Sequence, residues 1–90
     1  MTIEKIKTTN NFEKSFKKFI KKNLILLKEF NIFFDEFIKD PINFKFGTHK
    51  LKGKLQGFYS TKIKYDLRLI FEYSEKTIIL IDIGVHSKVY

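Results

Sequence analysis

The sequence predicts an α+β fold: an N-terminal strand, a two-helix hairpin, and then a four-stranded antiparallel sheet packed on the helices. Three observations predict it. Apolar residues recur at three- and four-residue spacing between Asn10 and Asp40. They alternate with polar residues beyond Gly47, and the turns joining the alternating runs are too short for a parallel crossover. Ninety residues with 43% apolar content make one domain, 1–90, able to bury a core without disulfides or metal, and eleven Phe supply much of that core.

Residues 2–8 alternate loosely around Ile3 and Ile6, as a short first strand does. From Asn10 the pattern becomes helical. Asn10 is placed to cap and Glu13 to close a capping box, while Phe12, Phe16, Phe19 and Ile20 line one stripe of a helix over 10–22. Lys14, Lys17, Lys18, Lys21 and Lys22 occupy the other side, as a solvated face or a weak nucleic-acid contact. Asn23 interrupts the stripe, and Leu24, Leu27, Phe30, Phe34, Phe37 and Ile38 carry a second helix to Asp40, where Pro41 ends it. Ile25, Leu26, Ile32 and Phe33 widen its apolar face. It should therefore pack on both the sheet and the first helix, with part of it free to seat another protein chain.

Strands are expected at 49–55, 57–64, 67–74 and 77–84, with turns at Gln56-Gly57, Tyr65-Asp66 and Ser74-Glu75-Lys76. The run Ile78-Ile79-Leu80-Ile81 suggests an inner strand covered on both faces. Lys62, Lys64 and Arg68 sit between Ile63, Tyr65, Leu67 and Leu69, on a half-open face.

Several function classes are excluded. The chain has no Cys, so disulfides and thiolate sites are absent, and two His with scattered carboxylates show no metal-ligand spacing. No phosphate-binding loop, dinucleotide-binding loop or nucleophile elbow is present, so no metal or cofactor is expected. No run of apolar residues is long enough to span a membrane and residues 1–7 lack the core of a secretory signal, which gives a cytoplasmic expectation.

Eighteen basic against ten acidic residues give a net charge of +8, suited to phosphates, an anionic membrane or an acidic protein. Arg68 is the single Arg among seventeen Lys, in a chain rich in Ile, Phe and Asn, a composition that reads as AT-rich coding bias. An Arg surviving that bias marks a position that needs the planar, bidentate guanidinium, chance survival being the alternative. Residues 45–68 hold Lys45, Lys50, Lys52, Lys54, Lys62, Lys64 and Arg68 against Asp66 alone, with Tyr59 and Tyr65 interleaved and Tyr90 at the end of the chain. Cations alternating with rings suit single-stranded nucleic acid, through phosphate contact and base stacking. His49 and His86 lie at strand ends beside this patch. Imidazoles titrate near neutrality, so two in different environments can divide general base and general acid duty.

Four segments resemble the bacterial RelE/ParE toxin superfamily, and within it the YafQ-like messenger-RNA interferases: His49-Lys50-Leu51-Lys52-Gly53, Gly57-Phe58-Tyr59, Asp66-Leu67-Arg68-Leu69-Ile70-Phe71 and Ile83-Gly84-Val85-His86-Ser87-Lys88-Val89-Tyr90. The likeness spans nearly the whole chain. It implies a RelE-like microbial ribonuclease fold and a ribosome-dependent endoribonuclease that cuts messenger RNA in the A site of the 70S ribosome, with contacts to ribosomal RNA. It also implies a cognate antitoxin that neutralises the toxin. The resemblance puts His49, Asp66 and His86 on family site positions, Tyr90 on an aromatic position four residues later, and Arg68 on the phosphate-contacting arginine of the wider superfamily. Two departures stand out: Lys62 occupies the place of another family histidine, and Val85 replaces the usual Thr before the last one.

These residues support cleavage by the RNA's own 2′-hydroxyl. A base, His49 or Asp66, takes the 2′ proton. Arg68, helped by Lys52 or Lys62, stabilises the charged phosphorane-like oxygens, and His86 protonates the departing 5′ oxygen. Lys50, Lys52, Lys54, Lys62 and Lys64 would hold the RNA backbone, and Tyr90 would brace a splayed base. An ammonium at Lys62 is a poor base at neutral pH, which leaves the base role to the other two. The competing readings are a non-catalytic poison of DNA gyrase, as in the ParE branch, and a basic module that binds nucleic acid or an acidic protein.

Overall fold

The computed structural model describes residues 3–42, 47–64 and 66–85. In chain order the elements are β1 (Lys5–Thr8), α1 (Asn10–Lys22), α2 (Leu24–Phe37), β2 (His49–Lys50), β3 (Tyr59–Lys64), β4 (Leu67–Ser74) and β5 (Thr77–Val85). The sheet order is β1-β5-β4-β3-β2. The four later strands are antiparallel neighbours, as their short turns require, while β1 joins as a fifth strand parallel to β5, with Ile6 opposite Ile78.

The first helix spans the expected residues, but its cap is Thr9 rather than Asn10. Thr9 has extended backbone angles, and its Oγ1 accepts the Phe12 N–H at 3.1 Å. The same hydroxyl donates to the Ile81 carbonyl at 2.9 Å, so the helix start is pinned to β5. With the cap one residue earlier, Glu13 cannot close a capping box and instead accepts from Thr8 Oγ1 at 3.0 Å. Asn23 serves both helices. Its N–H bonds the Phe19 and Ile20 carbonyls, and its side-chain oxygen accepts the Ile25 N–H at 3.1 Å.

The second helix ends at Phe37, three residues before Asp40. Its last carbonyls are taken by the tighter turn of Lys39 and Asp40, because Pro41 disfavours helical geometry in the residue before it. Leu26, Phe30, Phe33 and Phe37 are its buried stripe, whereas Leu24, Ile25 and Ile32 remain 75%, 68% and 61% exposed. The wide apolar face is thus only partly used among the described residues. The core is largely aromatic. Phe16 tilts against Phe30 at 4.8 Å, Phe37 meets Phe71 edge-on at 4.9 Å, and Tyr59 stacks on Phe71 at 5.4 Å, joining both helices to the sheet.

Three strand expectations change. The expected strand over 49–55 pairs only at His49 and Lys50, because Gly53 turns at φ +70° into a single 3₁₀ turn. In β3, Ile63 is an extra residue between the Lys62–Arg68 and Lys64–Leu67 pairs. In β5, Ile81 is extra between the partners of Phe71 and Ile70, which keeps both Leu80 and Ile83 facing the helices. Ile78, Leu80 and Ile83 are buried, while Ile79 and Ile81 are half-buried, so β5 is fully covered on one face.

Candidate active site

Residues directly opposite in an antiparallel pair share a sheet face. Leu67, Leu69 and Phe71 of β4 face the helices, so Arg68 faces the other way, together with its partners Lys62 on β3 and Gly84 on β5. Gly47 completes this row, since a Cβ built on it would lie 4.0 Å from that of Lys62. Two cations therefore stand side by side between two glycines in the row formed by the described residues. Among the described residues neither is ion-paired with an acid, and Arg68 Nε is buried without a hydrogen-bond partner. Directly opposed like charges are destabilising, and a buried unsatisfied donor costs on the order of 1–3 kcal/mol. A phosphate placed over the pair would answer the opposed charges by charge-assisted hydrogen bonds to the Lys62 ammonium and the outer nitrogens of the Arg68 guanidinium.

His49 lies across from Ser60, two residues from Lys62 and on the same face. Strand spacing and rise put its Cα about 12 Å from that of Arg68, with Lys62 between them. Its Nδ1 donates to the Gly47 carbonyl at 3.2 Å, which in the neutral ring leaves Nε2 as the acceptor. The ring is exposed and lines a recess of about 390 Å³ with Lys52 and Lys54. Asp66 is exposed in the β3–β4 turn, beyond the Lys62–Arg68 pair from His49.

Two of the expected backbone-holding lysines are turned away. Lys50 pairs with Tyr59, whose ring packs on the helix side, and its Nζ lies 5.8 Å above that ring. The extra residue Ile63 rotates Lys64 onto the helix side as well, where its ammonium meets Glu29 of α2 at 2.6 Å. His86 and Tyr90 lie outside the described residues. Among those that are described, no three His, Asp or Glu side chains converge as a metal site requires, and no helix is long and apolar enough to cross a membrane.

Sequence reasoning missed Gly47 and Gly84, whose place beside the cations depends on strand register. It also missed that Lys18 and Lys22 of α1 reach the far end of β5, where they line a cleft of about 330 Å³ with Gly84 and Val85. Their spacing of four residues was a visible signal of a shared helix face, but not of what that face adjoins.

The fold and its relatives agree. A copper-bound mutant toxin from Helicobacter pylori is 28% identical, with 96% of this chain and 98% of that chain covered at a TM-score of 0.74. YafQ from Escherichia coli is 17% identical over 94% of this chain and 96% of its own, at a TM-score of 0.78. The E. coli DinJ–YafQ toxin–antitoxin complex matches at 16% identity over 100% and 99%, at a TM-score of 0.77. At these lower identities the likeness is one of fold. No curated protein matches the chain in sequence. The family model described as the bacterial toxin of type II toxin–antitoxin systems, YafQ, matches residues 4–90. With that match over almost its full length, the chain belongs to the YafQ family of bacterial type II toxins.

Proposed function

We propose that this toxin is a metal- and cofactor-independent endoribonuclease that cuts messenger RNA in the ribosomal A site and so stops translation. The observation that carries the reading is the Lys62–Arg68 pair, held without an acidic partner among the described residues, with the Arg68 Nε buried and unsatisfied. An anion would neutralise the pair, and a phosphodiester offers the oxygens a guanidinium grips bidentately.

The attacking 2′ oxygen and departing 5′ oxygen must lie on opposite sides of the phosphorus, so the base and acid belong on opposite sides of the cation pair. His49 lies on one side. On the other lie the Asp66 turn and Val85, which pairs with Leu67 and is bonded to His86. If His86 is the acid, His49 is the better placed base. Nε2 of His49 takes the 2′ proton as the 2′ O–P bond forms, Arg68 and Lys62 hold the equatorial oxygens, and His86 protonates the 5′ oxygen as its bond to phosphorus breaks. A 2′,3′-cyclic phosphate and a 5′-hydroxyl result. Acid–base catalysis contributes roughly 10²–10⁴-fold and a preorganised charge contact roughly 10²–10³-fold, so alignment of the message by the ribosome supplies the remainder.

Regulation by a cognate antitoxin follows from the family, and the structural match to the DinJ–YafQ complex supports it. The exposed Leu24, Ile25 and Ile32 of α2, beside Lys21, Lys22 and Lys28, suit an apolar and acidic antitoxin segment. The test is product chemistry on a translated message carrying one 2′-deoxynucleotide before the cut. This reading predicts a cyclic phosphate on the normal message and no cut on the substituted one. Cutting of the deoxy message would overturn the mechanism, and uncut messages with inhibited gyrase supercoiling would replace the function.

A further inference from the structure

The sheet edge at β2 carries a second recess, on the face opposite Arg68. Tyr59 stacks on Phe71, and Tyr73, two residues further along β4, points to the same side. Where β3 would set a neighbour beside Tyr73, the chain instead turns through Gly57 at φ +97°, and a Cβ there would meet nothing within 4 Å. The space left is about 490 Å³, within the roughly 300–1,000 Å³ usual for small-ligand sites. Its walls hold Lys50, Lys52, Gln56, Tyr59 and Tyr73, with no acidic residue among them. Neither lysine is ion-paired among the described residues.

This recess continues into the one beside His49, since both are lined by Leu51 and Lys52. Because β2 is the edge strand and its side chains alternate, His49 and Lys50 point to opposite faces of a rim that another chain can cross. We propose that this recess is a second RNA subsite, in which an unpaired base lies against the Tyr59 and Tyr73 rings while Lys50 and Lys52 hold its phosphates. RNA lying over His49 and Arg68 would pass around the β2 rim, placing a nucleotide near the cut one in the recess. The inference rests on the nuclease reading for its choice of RNA, while rings, cations and an open glycine floor make the site.

The test uses the whole protein and a short single-stranded RNA methylated at every 2′ oxygen, which cannot undergo the proposed attack. The chain has no Trp and four Tyr, so the part of the tyrosine quenching that is lost in Tyr73→Leu reads stacking in the recess. Saturable quenching is expected, with Tyr73→Leu weakening binding about tenfold and Tyr73→Phe, which keeps a ring, holding affinity near that of the parent. Lys50→Ala should lower the salt slope by about one. Unchanged affinity in a folded Tyr73→Leu protein would overturn the proposal. So would equal quenching and affinity with an acidic peptide of the same charge, which would mark a protein-binding surface. RNA bound through Tyr73 by a protein that leaves messages intact would uphold the recess and sink the nuclease reading. Cleavage that depends on Arg68, with no loss of RNA affinity in Tyr73→Leu, would do the reverse.

Discussion

Arg68 and Lys62 are costly neighbours that the fold could have avoided with any acid or apolar side chain, and their adjacency is the feature most in need of a ligand. His49 and Asp66, the two candidates for the base, flank them from opposite sides. Measured by primer extension on a translated message, His49→Gln is expected to reduce cleavage by about 10²-fold, while Asp66→Asn costs less than about tenfold. The reverse order would move the base to Asp66. The two-residue period of β3 and β4 put Lys62, Lys64 and Arg68 on one face, and Lys62 and Arg68 do share it. Lys64 shows where such reading stops: the extra residue Ile63 shifts the pattern by one and sends its ammonium to Glu29, and nothing in the local composition signals that shift.

At the scale of elements, the helix over 10–22 was legible because Phe12, Phe16 and Phe19 repeat at its period, while its cap was not. Thr9 and Asn10 are both good caps in isolation, and the choice falls to Thr9 because its hydroxyl also reaches β5. Thr9→Ala should therefore destabilise the protein by about 1–2 kcal/mol, with Asn10→Ala nearly neutral, as read from denaturant midpoints. Equal effects would mean the cap bond is not what fixes the helix start. The parallel docking of β1 was likewise hidden, since pairing between the first and last strands leaves no mark on the residues between them. Nor does periodicity reveal that Leu24, Ile25 and Ile32 lie on the uncovered side of α2, because an apolar flank reads the same whether its partner is internal or a second protein.

Across the whole molecule, the basic charge lies on more than the one sheet face. Lys18 and Lys22 of α1 approach Gly84 and Val85, extending positive potential toward the end of β5, where it would widen the surface open to the proposed RNA substrate. Reversing both to Glu should weaken association with ribosomes or RNA and flatten its dependence on salt by a slope of about two, with a smaller effect on the rate of cutting once bound. A variant pair that keeps its salt slope would confine the interface to the sheet. In the proposed mechanism the Lys62–Arg68 pair grips the phosphate being cut, and His86 serves the departing oxygen. This is tested most directly by mapping cleavage of a translated message by Arg68→Met and His86→Ala proteins alongside their thermal unfolding. A loss of at least about tenfold is expected in each, with the Arg68→Met protein unfolding no earlier than the parent, because that change removes an unsatisfied buried donor. Near-normal cutting by both proteins would contradict it.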